Sequence, residues 1–473
     1  MNRKGLVVAV VVLAVLIVGG IWFARSPFSR VNFAGFIGSP GSTNTGDIAT
    51  HTDSGDTTTP ADSGDATPTD SGDATTPPDS DATSPADSSD TATPADSGDA
   101  TPTDSGDATN STDSGSSTGT TGPGVQAGVQ VPAGFTIEVF AEGLVTPRFI
   151  TFGPDGALYV AERGAFTESG TGRIVALPDA DSDGRADAIL PFATGLDQPH
   201  SLAYHEGAWY VGVPSGVVRL DDQDGDGAAE AQTAIIDDLP TRVGHTTRTV
   251  AFLPDGRMLL SVGSSCNVCT ESDPRRAAIV VYDDATGANE QIFATGLRNA
   301  VGLTFQPDSG ALWVTNNGRD LMGDDVPPET VYQVNEGDHF GWPACHAGTI
   351  IDPEFGGQGA CDGVVQPALT WQAHSAPLGL AFYGGDAFPD AYRGDLFIAL
   401  RGSWNRPQPV GYEVLRVPFD GGMPSGPAEV FATGWLSDGR VDGRPVGLAV
   451  GPDGALYVSD DRGGFVYRIA YGE

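Results

Sequence analysis

The sequence predicts an all-β protein, a six-bladed β-propeller, and three observations predict it. A strand-turn-strand phrase occurs six times, at 148–163, 200–214, 244–263, 301–318, 378–402 and 446–463. A third apolar run follows each one: "RIVALP", "GVVRLD", "AIVVYD", "TVYQVN", "EVLRVP" and "FVYRIA". The sixth unit has no fourth run behind it, yet a run of that kind, "FTIEVFAEGL" at 135–144, stands ahead of the first unit. Repeats at this period are a propeller's signature. A last blade completed from the other end of the chain closes the circle and leaves no open sheet edge.

In chain order, residues 1–30 come first. "LVVAVVVLAVLIVGGIWF" at 6–23 carries no charge and follows Arg3 and Lys4. That is about the length needed to cross a bilayer as a helix. It reads as a membrane anchor, or as an export signal if it is cleaved, and either places the rest in the cell envelope outside the cytoplasm. Residues 31–126 follow, and from about Thr45 to Gly122 they repeat phrases such as "TPADSGDATPTDSGDATTPPDS" with no lysine or arginine and almost no apolar side chain. Such a segment cannot offset its ordering entropy and is expected to be an extended, disordered stalk. The propeller occupies 127–473.

Within each unit the first strand alternates large and small residues, as Leu303 and Phe305 alternate with Gly302 and Thr304. The alternation marks two faces of a strand, and the small residues suit strands crowded near an axis. Fourth strands are read at "AILPFATGL", "EQIFATGL" and "AEVFATGW".

The net charge is −38 and Lys4 is the single lysine, so positive charge in the propeller is arginine alone. Nucleic acid is excluded as a partner on charge. Against that background the residues just ahead of the inner strands stand out: Arg148, His200, His245 with Arg248, Arg298 with Asn299, His374 and Arg444. Loops after the second strands add Arg163, Arg319, Arg401 and Arg462. An electropositive mouth in a negative protein predicts a small anionic or planar, oxygen-rich ligand. Trp371 is placed to stack on it or to pack in the core.

Cys266, Cys269, Cys345 and Cys361 all lie beyond the apolar segment. The simplest pairing is Cys266–Cys269 and Cys345–Cys361, with a four-thiolate zinc site as the alternative. "CNVC" is not followed by histidine, so covalent haem attachment is not supported. Two turns between third and fourth strands carry acids at alternate positions around a glycine: Asp179, Asp181, Asp183 and Asp187, then Asp222, Asp224, Asp226 and Glu230. They are structural calcium loops or plain acidic turns.

Taken in order, "GHTTRTVAFLPDG", "GSSCNVC", "GLRNAVGLTF", "NNGRDLMGDDVPPETVYQV", "GDHFGWPACHAG" and "TWQAHSAPLGL" resemble the pyrroloquinoline quinone (PQQ)-dependent sugar dehydrogenases, in particular the sorbosone and aldose dehydrogenase-like branch related to soluble quinoprotein glucose dehydrogenase. The resemblance covers the propeller and none of the stalk. It implies that His245 is the general base for sugar oxidation, its pKa near working pH, and that Arg298 and Asn299 hold the quinone. It assigns cofactor contacts also to Arg401 and Arg444, Arg401 standing where the family often has lysine; Arg248, Trp371 and His374 are expected to contact the cofactor from their place at the mouth. A cofactor calcium is implied near Gly318, Arg319, Asp324 and Asp325. A sugar substrate and an external electron acceptor follow from the same resemblance. Two other readings stand beside it: a calcium-dependent lactonase or esterase, and a non-catalytic surface propeller that binds sugar or protein.

Overall fold

The computed structural model describes residues 120–121 and 128–472, apart from Phe166 and Arg242. The apolar segment at 6–23 and, but for Thr120–Thr121, the acidic stretch at 31–126 lie outside the described residues. Among the described residues there is no α-helix, only a 3-10 turn at Asp390–Tyr392, and no helix long and apolar enough to cross a membrane.

Six sheets with four antiparallel strands each run from an inner strand outward. The inner strands are Pro147–Phe152, Ser201–His205, Arg248–Phe252, Ala300–Phe305, Pro377–Phe382 and Pro445–Val450. Each packs on its counterparts in the blades before and after, and the sixth packs on the first, so the circle is closed. Closure takes the expected form: Phe135–Glu142 pairs antiparallel with Phe465–Tyr471 as the outer strand of the sixth sheet. Thr120–Thr121 adds a short parallel pairing outside it.

The recurring "PDG" phrase makes the turn between inner and second strands. At Asp155 one carboxylate oxygen accepts the Ala157 N–H and the other the Tyr159 hydroxyl, and Gly156 takes a φ of 82°. Asp453, Ala455, Tyr457 and Gly454 repeat the arrangement in the sixth blade. Glycine is needed there because an L side chain rarely adopts positive φ.

Near the axis, small hydroxyls lace neighbouring blades together. Thr151 donates to Leu202 O, Ser201 to Arg248 O, Thr249 to Val301 O, Thr315 to Leu378 O and Ser459 to Arg148 O. The junction between blades five and six has glycine instead: a Cβ on Gly379 would lie 2.5 Å from Val446 O. These contacts account for the Gly, Ser and Thr of the alternating pattern, since bulkier side chains would part the strands. Apolar side chains fill the space between sheets, with Trp313 and Trp435 fully buried.

Two outer strands carry no recognisable phrase. In blade two, Ala231–Ile236 is largely solvent-facing, and an outer strand with so little burial is free to vary. In blade four the outer strand is only Leu369–Trp371, set apart by an insertion with its own hairpin, Cys345–His346 against Ile350–Ile351. Both disulfides form as Cys266–Cys269 and Cys345–Cys361, so the thiolate zinc alternative is overturned: no cysteine is free to ligate.

Candidate functional site

Each inner strand starts at the same end of the channel, and the residues ahead of it gather there around a cavity of about 350 Å³. A cavity at the other end, about 380 Å³, has no ionisable side chain in its lining. Charge therefore separates the two ends, and the first is the candidate site.

One side of the site comes from blades three and four. His245 hangs from the loop before the third inner strand, packed against Gly263, where a Cβ would lie 2.6 Å from its own. Its Nδ1 faces Ser264 O at 3.1 Å and Ser264 Oγ at 3.0 Å, while that hydroxyl donates to Cys266 O at 2.6 Å. With the serine proton directed at Cys266, Nδ1 must carry hydrogen, which leaves Nε2 as the basic nitrogen. Burial, and then the neighbouring Arg298, lower the His245 pKa to about 3. The imidazole is thus neutral well below the working pH expected from an ordinary histidine, because charging it means desolvating a cation beside another.

Arg298 is 4% exposed and pairs with Asp320 at 2.7 Å. Its Nε donates to Asn267 O and its Nη2 to Asn267 Oδ1, both at 3.0 Å. Asp320 also accepts from Asn405 Nδ2 at 2.8 Å. Glu329, 3% exposed, lines the floor and takes the N–H of Gly318 at 2.9 Å; burial pushes its carboxyl up to about 7. His374 contacts Gly323 O through Nε2 at 2.8 Å. The amide oxygens of Asn299 and Asn405 are buried with no hydrogen-bond partner, and both residues line the cavity. Orphaned acceptors of this kind mark where a ligand's donor or cation belongs.

The opposite side comes from blades five, six and one. Arg148 and Arg401 both bond Asp461 Oδ2. Arg163, bonded to Gln198, reaches the same wall. Trp404 stands at the rim, 73% exposed.

Arg148 and Arg163 of the expected mouth line the cavity and His200 and Arg462 do not; of the twelve residues given a catalytic, cofactor or calcium role from sequence, His245, Arg298, Asn299, Gly318, His374 and Arg401 line it. Six others do not. Arg248 is fully buried, its guanidinium bonded to the carbonyls of Pro240, His245 and Thr247, because the strand it opens turns it into the backbone. Arg319 is drawn outward to Asp352 and Glu354. Asp324 and Asp325 are exposed on the loop, Asp325 meeting Arg406. Trp371 donates to Ser375 Oγ and packs on an apolar cluster between blades. Arg444 lies behind the wall, donating to Arg401 O and Gly402 O with its guanidinium 5.1 Å from the Tyr412 ring centre.

Sequence reasoning did not single out Ser264, Asn267, Asp320, Glu329, Trp404 or Asn405. Glu329 had a signal, a carboxylate opening the apolar third strand "ETVYQV"; the rest are ordinary loop residues until the fold assembles them. The acidic turns lie away from the site. Ligand oxygens of Asp222, Asp224, Asp226 and Glu230 converge within 4.8 Å, as do those of Asp179, Asp181 and Asp183, while Asp187 accepts the Ala180 N–H.

Comparison with known proteins agrees with this architecture. A Borreliella burgdorferi protein of uncharacterised function is 27% identical over 359 residues, 72% of this chain and 91% of its own. A PQQ-dependent pyranose dehydrogenase from Coprinopsis cinerea is 27% identical over 412 residues, 72% of this chain; the chain spans about half (54%) of that relative's length. The holo PQQ domain of a pyranose dehydrogenase from the same organism superposes with a TM-score of 0.62 at 24% identity, over 74% of this chain and all of that one. A calcium structure of a Trichoderma reesei carbohydrate-active enzyme of family AA12 gives 0.62 at 22% identity, over 74% of this chain and all of that one. Residues 126–461 match the model of a domain family of unknown function, and the chain therefore belongs to that family, DUF7133.

Proposed function

We propose that the protein is a quinoprotein that oxidises an aldose or related sugar, with PQQ as hydride acceptor, calcium as its companion ion and His245 as general base. The observation that carries the reading is the pairing of His245 with Ser264, which leaves one basic imidazole nitrogen in a cavity walled by arginines. Quinone-dependent sugar oxidation by the Coprinopsis cinerea relative supports it.

The residues fit both groups. Arg148, Arg163, Arg298 and Arg401 line the cavity and suit the carboxylates of a planar quinone, and its volume lies in the range of small-molecule sites. Calcium takes oxygen ligands, and the Gly318 carbonyl and the unpaired amide oxygens of Asn299 and Asn405 are the chain's candidates. When bound, PQQ would supply the acceptor for the hydride of the sugar's anomeric carbon, which carries both electrons, and calcium would supply Lewis-acid polarisation. His245 Nε2 accepts the proton of the anomeric hydroxyl, leaving a lactone. Ser264 holds the imidazole in the tautomer this needs. Arg298 and Asn299 orient the acceptor from one side and Arg148 and Arg401 from the other. Electrons leave to an external acceptor.

The carboxylates and amides now seen in the cavity favour one second reading, a calcium-dependent lactonase. Against it, both Asp320 oxygens are engaged by Arg298 and Asn405, and the Glu329 oxygens face backbone N–H groups. We place the chain in the cell envelope, tethered through residues 6–23 or released if they are cleaved.

The test is dye reduction by the detergent-solubilised full chain with calcium, PQQ and a panel of aldoses. Quinone-dependent turnover is expected. Lactone hydrolysis with calcium alone and no quinone binding would replace this reading with the second.

A further inference from the structure

The disulfide loop Cys266–Cys269 follows the second strand of blade three, Met258–Val262, and touches the site from behind at two points. At the first, Cys266 O accepts the Ser264 hydroxyl at 2.6 Å, and Ser264 Oγ in turn faces His245 Nδ1 at 3.0 Å. At the second, Asn267 uses every polar group it has except its own N–H. Its carbonyl accepts Arg298 Nε–H at 3.0 Å and Trp342 Nε1–H at 3.3 Å. Its Oδ1 accepts Arg298 Nη2–H at 3.0 Å and Asp320 N–H at 2.8 Å, and its Nδ2 donates to Asp320 O at 2.9 Å. One short covalent loop thus sets both the tautomer of the base and the direction of the arginine beside it.

A free turn of this length would sample many arrangements, and each would aim these groups differently. Closing it with a disulfide removes most of them. Groups that hold a binding side chain from behind commonly affect affinity as much as the side chain itself. We infer that the Cys266–Cys269 loop is a clamp that positions His245 and Arg298, with Asn267 as its positioning residue, and that opening it by reduction loosens the quinone. The inference rests on the quinone-dependent reading above. Opening is a two-electron exchange with an added dithiol: the dithiol becomes a disulfide, the Cys266–Cys269 bond breaks, and the two protons pass to the cysteine thiolates. All four loop residues are half-buried, so a small reductant has access.

The experiment uses the full chain and four variants: Asn267→Ala, Asn267→Asp, Cys266→Ser/Cys269→Ser and, as a control on disulfide loss in general, Cys345→Ser/Cys361→Ser. Quinone Kd is measured by titration, with kcat and KM for the best aldose. In the quinone-free protein, the exchange rate of the Arg298 Nε–H is followed by side-chain ¹⁵N NMR. Asn267→Ala and Cys266→Ser/Cys269→Ser are expected to raise quinone Kd about 10- to 100-fold and to speed Arg298 Nε–H exchange, leaving KM for sugar at saturating quinone little changed. Asn267→Asp keeps both acceptor oxygens toward Arg298 but sets an oxygen against Asp320 O in place of the Nδ2 donor, so its loss should be smaller than that of Asn267→Ala. The control should bind quinone normally, and dithiothreitol added to it should reproduce the Cys266→Ser/Cys269→Ser values. Unchanged Kd and unchanged exchange in Asn267→Ala would overturn the clamp, as would an equal loss in the control. A wild-type chain that binds no quinone overturns the proposed function instead; Arg298 exchange needs no quinone and still decides whether the loop positions that side chain.

Discussion

His245 gives up a proton at about 3, not near 6.5, and two predictions follow from that displacement. A base that is already neutral across the working range gives the rate no ionisation limb near 6.5, so kcat plotted against pH should be flat there on its account. Stability carries the opposite signature. Between about 6.5 and about 3 the unfolded chain takes up a proton on this residue while the folded chain does not, so folding loses stability as pH falls through that window. The denaturation midpoint should therefore drop less from pH 7 to pH 4 in His245→Gln than in wild type; an equal drop would mean the imidazole is charged in the fold. For catalysis, His245→Ala should lower kcat by about 10²- to 10⁴-fold with quinone Kd nearly unchanged. The legibility of the site also differs residue by residue. Histidine is scarce in this chain and arginine is the propeller's one cationic residue type, so those at the mouth can be seen in the sequence, whereas Asp320 is one of many aspartates and gains meaning only when the 319–328 loop folds over Arg298. Arg248 looked equivalent to His245 because the two are neighbours in sequence; a strand start between them sends one to the cavity and the other into the backbone.

At the scale of elements, the hydroxyls that lace the blades make a specific prediction. Thr249 donates to Val301 O at 2.5 Å in a fully packed junction. Thr249→Val keeps the shape but leaves that carbonyl without its partner, which should cost about 1–3 kcal/mol, read by urea denaturation. Inner and second strands were legible because burial on both sides forces a repeated pattern. Outer strands were legible only where the "FATG" phrase, or its "FAEG" variant ahead of the first blade, recurs, and the outer strands of blades two and four escaped for want of that constraint. The insertion before Leu369–Trp371 followed no period at all, and its hairpin and disulfide had to be seen.

For the whole molecule, closure was readable from the missing fourth strand of the last repeat, and it predicts an all-or-none response to trimming. Deleting residues 1–142 removes the strand that covers Phe465–Tyr471 and exposes its hydrogen-bonding edge. That variant should lose its single cooperative transition and self-associate, as sedimentation would show, while a chain that begins at residue 120 should keep the transition. The same pairing also governs when the protein can be born. Phe135–Glu142 leaves the ribosome long before its partner, Phe465–Tyr471. Until that partner emerges, the circle stays open, and Phe135–Glu142 must remain unpaired through the whole interval. Long-range pairing of this kind is slow and prone to capture by other chains. The arrival of Phe465–Tyr471, with Phe135–Glu142 still free to meet it, is therefore the point at which closing the circle is most exposed to capture by other chains.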